Sequence, residues 1–439
     1  MKKILSGDLE IDGFHEMLSK EQYVETKEQS FEDYKIAAEA GDKISRHIVG
    51  KAYHFGMGVV QDYEQAFYWY LLAANQGIAP AQHNLGLLYG KGLGVDRSYE
   101  QEFFWYQKAV EQGFSLSMSS LGECYFYGEG VEKDEKKAFE FFKLSADNGN
   151  ASGQYWLAWC YGNGYYIEQD LALAFHWYKL AAEQDHATSQ CHVGRCYLHG
   201  MGVKKNYDKA LHWFKLAVKQ ENAEAQSALG ACYFFGHGVA IDYKQAFYWF
   251  ELAAKAGDAY AQNSLGACYG NGHGVKQNYE LAVHWLEKAA NQQEIHAQSG
   301  LAWYYETGNG VVRNREKAFL LYQQAAESGL NDAQYHLGRC YQYKIGVKGN
   351  LRLAAHWYRI SAKNGNEKAN RSLYRLWEKY ILLIIWILLI IWHVFLLRRN
   401  APDSFAQYIP ISLYFIYLVI KWFRERNGKW VSVKSNLKI

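Results

Sequence analysis

The chain has 439 residues, 49% hydrophobic, 17% aromatic and 21% charged, with three prolines and a formal net charge of +2. A single compact core is strained at this length, whereas a linear repeat array is not. The near-neutral balance excludes a strong polyanion binder.

The chain opens Met1-Lys2-Lys3, and Asp8, Glu10 and Asp12 follow at once. No apolar run follows the basic start, so no secretory signal peptide is expected. Residues 1–27 read as a polar helical cap or tail. Ser30-Phe31 and Ala37-Ala38-Glu39-Ala40-Gly41 align with the second half of the pattern that comes next, so a lone helix is expected to cap the array there.

From there one pattern recurs nine times at intervals of 36 residues, without insertion. Its Leu-Gly-x-x-Tyr core places a small residue every 36 positions from Gly50 to Gly338, with Ala158 and Ala302 as variants, and a tyrosine three residues later from Tyr53 to Tyr341. A fixed period of this size marks a stacked repeat array. In one unit Ala225, Leu229, Gly230 and Tyr233 have helical spacing and predict a helix A. Gly236-His237-Gly238-Val239 predicts a turn. Ala246, Phe247, Trp249, Phe250, Ala253 and Ala254 predict a helix B with a broad apolar face. Tryptophan recurs in helix B from Trp69 to Trp357, with Phe141 and Leu321 in its place twice, and reads as repeat core. Two corners depart from the pattern and are expected to be irregular. Repeat four has Tyr166 at its second turn glycine, and repeat nine has Lys344 at its first.

The run Leu-Gly-x-x-Tyr-x-x-Gly-x-Gly-Val-x-x-Asp-Tyr-x-x-Ala-Phe-x-Trp-Tyr, nearly intact from Val49 to Tyr70, resembles the Sel1-like repeat family. That family is related to the tetratricopeptide repeats, and the resemblance covers about residues 28–376. It implies an all-α, right-handed α/α solenoid with adaptor or scaffold roles, often in membrane-linked complexes.

Six of seven cysteines share one repeat position, from Cys124 to Cys340. Equivalent positions on successive helices lie about 10 Å apart, beyond disulfide reach. They read as small core residues in a reducing compartment. Cys191, His192, Cys196 and His199 have partial metal-ligand spacing, but Cys196 is the shared core position, and no metal or cofactor is predicted. His176, His212, His284 and His356 each precede a repeat tryptophan, come from different helices and need not converge. The Gly-x-Gly pairs follow helices, and no Gly-Lys-Ser/Thr, His-Glu-x-x-His or Gly-x-Ser-x-Gly occurs. No catalytic residue is nominated.

Binding residues are expected where the scaffold varies. The helix A position after the small residue reads Leu87, Glu123, Trp159, Arg195, Ala231, Ala267, Trp303 and Arg339. Trp and Arg at a position outside the core are hot-spot chemistry, so Trp159, Arg195, Trp303 and Arg339 are the predicted partner-binding residues. Tyr155 and Tyr335 join them one turn earlier. A Trp/Arg ladder that only stiffens the array is the competing reading.

After Lys379 the composition changes. The 18 residues from Tyr380 to Leu397 are apolar but for His393, and as helix they span about 27 Å, enough for a hydrocarbon core. Ala369, Leu373 and Trp377 continue the helix A pattern, so the last array helix is expected to run directly into a first span at 377–397. A linker at 398–407, a second span at 408–423 and a basic tail at 424–439 complete a predicted transmembrane hairpin; one span plus an interfacial helix is the alternative. From Lys379 onward nine Lys/Arg face two Asp/Glu, a charge of +7, which leaves 2 − 7 = −5 for the rest. Phosphate binding by the array is thus disfavoured, and no nucleic-acid partner is expected. Lys368, Arg371, Arg375 and Lys379 precede the hairpin and Lys421, Arg424, Arg426 and Lys429 follow it, against Arg398 and Arg399 in the linker. This places array and C-terminus in the cytoplasm of what is expected to be a bacterial inner membrane.

The expected function is a non-enzymatic, membrane-anchored scaffold that binds a protein segment along the array groove. The alternatives are an immunity or stress-regulatory protein acting through the hairpin and a hydrolase built on the array.

Overall fold

The computed structural model describes residues 30–398, and among these all regular structure is helical. The expected segment 1–27, the linker beyond Arg398, the second span 408–423 and the tail 424–439 lie outside the described residues.

The chain divides after Glu294 into two compact units. In the first, α1 (Phe31–Glu39) is a lone helix B packed on α2 (Lys43–Phe55), and alternating A and B helices follow: α3 (Tyr63–Asn75), α4 (Ala79–Lys91), α5 (Tyr99–Glu111), α6 (Ser115–Tyr127), α7 (Glu135–Asp147), α8 (Ala151–Asn163), α9 (Leu171–Ala182), α10 (Ala187–His199), α11 (Tyr207–Lys219), α12 (Ala223–Phe235), α13 (Tyr243–Lys255), α14 (Ala259–Asn271) and α15 (Tyr279–Asn291). The second unit holds α16 (Ile295–Thr307), α17 (Arg315–Glu327), α18 (Asn331–Tyr343), α19 (Leu351–Lys363) and α20 (Glu367–Arg398). Each helix packs chiefly on its sequence neighbours, as in an α-solenoid.

Helix boundaries follow from caps. Every helix B from α3 to α19 begins at Asp, Asn or Ser, whose side-chain oxygen accepts a first-turn N–H; Asp242 Oδ1 takes those of Lys244 and Gln245 at 2.9 and 3.0 Å. Helix A ends in a left-handed residue such as Gly236 at φ 75°. The two corners expected to be irregular are not: Tyr166 and Lys344 take φ 63° and 59°, so each keeps the repeat geometry and carries the left-handed strain on a side-chain-bearing residue.

The packing centre is the residue after the repeat tryptophan. Tyr70, Tyr106, Phe142, Tyr178, Phe214, Phe250, Leu286, Tyr322 and Tyr358 are all at most 6% exposed. Trp69 and Trp105 are buried beside this centre, whereas Trp177, Trp213, Trp249, Trp285 and Trp357 are partly buried and pack against the core from its edge. The small residue of helix A lies under that central ring: a Cβ on Gly194 would stand 2.5 Å from Phe214, and one on Gly230 2.8 Å from Phe250. Helix A then adapts to the ring's chemistry. At three of the five tyrosines the residue 16 positions earlier is polar and meets the hydroxyl: Tyr70 with His54 at 3.4 Å, Tyr322 with Glu306 at 3.1 Å, Tyr358 with Gln342 at 2.6 Å; before Tyr106 and Tyr178 it is Gly90 and Gly162. Where the ring is Phe142, Phe214 or Phe250, that residue is Phe126, Leu198 or Phe234. A buried hydroxyl needs a partner, and a buried phenyl has none to offer.

Buried glutamines join successive repeats. Gln262 donates to Ala254 O at 3.1 Å and accepts from Gln292 of the next helix B at 2.9 Å. Gln82–Gln112, Gln154–Gln184, Gln190–Gln220 and Gln334–Asn364 repeat the second bond, always 30 residues apart. Gln226 and Gln298 have an Oε1 that is buried without a partner, because the residues 30 positions on are Ala256 and Ser328. Ala256 is exposed at the end of α13. Ala256→Gln is expected to complete the bond and stabilise the protein by about 1 kcal/mol. Thermal and urea unfolding measure this; no gain in midpoint counts against the glutamine relay.

The helix α20 runs 32 residues without a break, from the array into the residues expected as a first span. Among the described residues, no helix is long and apolar enough to cross a membrane.

Candidate partner-binding face

The helix A position that follows the small residue is partly or fully exposed at Leu87, Glu123, Trp159, Arg195, Ala231, Ala267, Trp303 and Arg339. The small residue itself is turned to helix B, so its successor is rotated toward solvent by about 100° of helix.

In the first unit, Trp159 on α8 closes an aromatic cluster. Its ring meets Phe126 at 5.3 Å, Tyr165 at 5.6 Å and Trp156 at 6.0 Å. Trp156 is 1% exposed, stacks on Phe142 at 5.1 Å and donates from Nε1 to Glu123 Oε1 at 3.0 Å. Arg195 on α10 pairs with Glu224 on α12, at 3.1 Å, and not with Trp159. Tyr155 is 3% exposed, among Tyr178, His186 and His192. It therefore supports the face from beneath and offers no ring to a partner.

In the second unit, Trp303 on α16 is 41% exposed and touches Tyr304 edge-on at 4.9 Å. Arg339 on α18 pairs with Glu306 at 3.1 Å and donates to His336 Nδ1 at 3.0 Å. Burial, aided by Arg339, lowers the His336 pKa to about 4, so its ring is neutral and can accept that bond. Tyr335 is half-buried, 5.8 Å from Tyr358. The two Arg positions are repeat-equivalent yet choose partners in opposite directions along the chain. Each takes the carboxylate that its own neighbours supply: Glu224 lies 29 residues after Arg195, and Glu306 lies 33 before Arg339.

The Cys/His cluster does not assemble. His192 is stacked on Tyr178 at 4.6 Å, and Cys191 and Cys196 are buried in the core. Among the described residues, no group of three or more His, Cys, Asp or Glu side chains could hold a metal. Burial pushes the Cys196 and Cys232 thiols up to about 11 and those of Cys160, Cys268 and Cys340 up to about 12, so all five are protonated and poor nucleophiles at neutral pH. His176, His212, His284 and His356 each stand edge-on to the following tryptophan, at 5.4–5.7 Å. What sequence reasoning missed is Glu306, the partner of Arg339, and Trp156, which underlies Trp159. The signal for both lay in residues that break their repeat columns.

The comparisons with known proteins agree with this architecture. No curated protein matches the chain. Among solved structures it is similar to a protective antigen present in uropathogenic Escherichia coli strains displaying an SLR fold, with 30% identity over 79% of this chain and 82% of that one and a TM-score of 0.51. It is also similar to a Sel1 repeat protein from Oxalobacter formigenes, with 28% identity, 70% and 89% coverage and a TM-score of 0.47. The Sel1 repeat profile matches nine consecutive segments, 45–78, 79–114, 115–150, 151–186, 187–222, 223–258, 259–294, 295–330 and 331–366. The chain belongs to the Sel1 repeat family.

Proposed function

We propose that this protein is a non-enzymatic scaffold that binds a protein segment on its helix A face and is held at a lipid bilayer by its C-terminal segments. Sel1 repeat proteins generally mediate protein–protein interaction. The observation that carries the bilayer reading is the far part of α20. Ile384, Trp386, Ile387, Leu388, Leu389 and Ile390 are 40–66% exposed. Seven consecutive helical positions point in every direction, so no single neighbouring face could cover them, whereas hydrocarbon would. The basic residues on both sides of 380–423 favour a cytoplasmic array.

Membrane fractionation of the full chain tests this reading. The protein is expected in the membrane pellet and resistant to alkaline extraction, and Leu388→Arg with Leu389→Arg is expected to release it. Full chain in the soluble fraction would overturn the bilayer reading. The partner face has its own test. Trp303 is exposed and touches little, so Trp303→Ala is expected to change stability by less than about 1 kcal/mol, yet to weaken binding of the co-purifying partner by about 30-fold, as at a hot spot. Unchanged affinity would remove Trp303 from the face.

A further inference from the structure

Glu102 is out of place in its own array. The equivalent residue is alanine in the other eight repeats, from Ala66 to Ala354, and each of those alanines is at most 3% exposed. The carboxyl of Glu102 occupies the room left by Gly90 on α4: a Cβ built on Gly90 would run into it. Other repeats fill that helix A position with residues such as Phe126, Leu198 or Phe234. The second repeat has thus exchanged a side chain on helix A for a carboxyl on helix B. Glu102 Oε2 is closed off from solvent and has no hydrogen-bond partner, while the Tyr106 hydroxyl bonds to the same carboxyl.

A second, partly buried carboxyl in the next repeat feels the charge of Glu102. Glu123 on α6 accepts the indole N–H of Trp156, and Glu129 in the following turn adds negative charge to both. The cations that face them are Lys91, toward both, and Arg97, toward Glu102. We propose that Glu102 and Glu123 form a proton-responsive pair at the junction of the second and third repeats, which grips the junction when protonated and loosens it when both ionise. A protonated carboxyl gives the shielded Glu102 Oε2 an O–H donor, whereas two carboxylates there repel each other with little water to screen them.

Burial is the main reason both groups ionise late, at about 7 for Glu102 and about 8 for Glu123, with Glu129 raising each further. Both values lie above the ordinary 4.5, so the folded state binds these protons more tightly than the unfolded chain. The stability they confer is complete below pH 4.5 and is lost as pH rises through 7 and 8. That window spans neutrality, which makes the junction a sensor of modest alkalinisation.

Hydrogen–deuterium exchange of the full chain, with labelling times scaled to the intrinsic rate at each pH, provides the test. Protection of α4–α6 is expected to fall by about tenfold, relative to α12–α14 in the same molecule, between about pH 5.5 and 8.5. Glu102→Ala and Glu102→Gln should both level this ratio, and Glu123→Gln should reduce its slope. Glu102→Ala is expected to fold, because the fourth repeat already pairs a glycine with an alanine here: a Cβ on Gly162 would meet the Ala174 methyl at an ordinary 3.6 Å. The isosteric Glu102→Gln decides the matter if the alanine variant does not. A ratio constant with pH in the parent chain, or an unchanged slope in Glu102→Gln, would overturn the proposal.

Discussion

Gly202→Ala should lower the stability of the array by about 3 kcal/mol, far more than the same change at Gly77. Both glycines have positive φ, +67° at Gly202 and +83° at Gly77. A Cβ at Gly77 meets nothing within 4 Å, so only the left-handed strain of about 1 kcal/mol applies there. The chain itself makes that substitution three times, with Asp185, Glu221 and Gln293 at φ 60–65° in the equivalent turn. A Cβ at Gly202 would drive into the carbonyl of Leu171, the first residue of helix B in the preceding repeat. Gly94, Gly130, Gly274 and Gly346 meet the equivalent backbone carbonyl, whereas repeat four makes room at this column for the Cβ of Tyr166 at φ 63°, so the cost at Gly202 is that of shifting a helix start. The loss should appear in urea unfolding as an early transition of the neighbouring repeats, since stability in such arrays is held locally and between neighbours. Equal losses at Gly77 and Gly202 would refute the close-approach argument.

Trp156→Ala is the second large effect, with an expected loss of about 4–5 kcal/mol. The side chain is 1% exposed and touches Phe126, Phe142, Tyr155 and Trp159. Other repeats place Ser120, Ala228, Ser264 or Gly300 at this position, so alanine breaks no backbone rule and the loss is one of packing. His192 on Tyr178 and His336 on Tyr322 are the equivalent stacks, at 4.6 and 4.9 Å. Here the indole also caps Glu123, whose carboxyl would lose its donor in a partly buried site. Calorimetry and denaturant unfolding would read the loss directly. A loss below about 2 kcal/mol would mean that Phe126 and Trp159 collapse into the space.

Much of the fold was legible because the same constraint is written nine times. The 36-residue period, the Gly-x-Gly turn after helix A and the alternation of two helices follow from glycine placement and apolar spacing, and the structure has them in the expected order. The uninterrupted run from Glu367 to Arg398 was equally readable, since no glycine or proline breaks it. Periodicity misjudged the features that depend on which neighbour a side chain meets. Tyr166 and Lys344 read as broken corners, yet the repeats on either side fix the backbone there and the residue absorbs the strain.

Repeat spacing alone determined the helices, their order, the turns and the column that faces solvent. Tertiary packing decided that the residue after each tryptophan is buried in every repeat, while the tryptophan is buried only at Trp69 and Trp105. It also sent Arg195 forward to Glu224 and Arg339 back to Glu306, and buried Tyr155 beneath the face it was expected to line. The physical reason is that a period fixes direction along and around a helix, whereas burial and partnership depend on the single side chain contributed by the adjacent repeat. Glu102, which fits because Gly90 leaves it room, and Gln226, left unpaired because Ala256 offers no donor, show that dependence within one sequence.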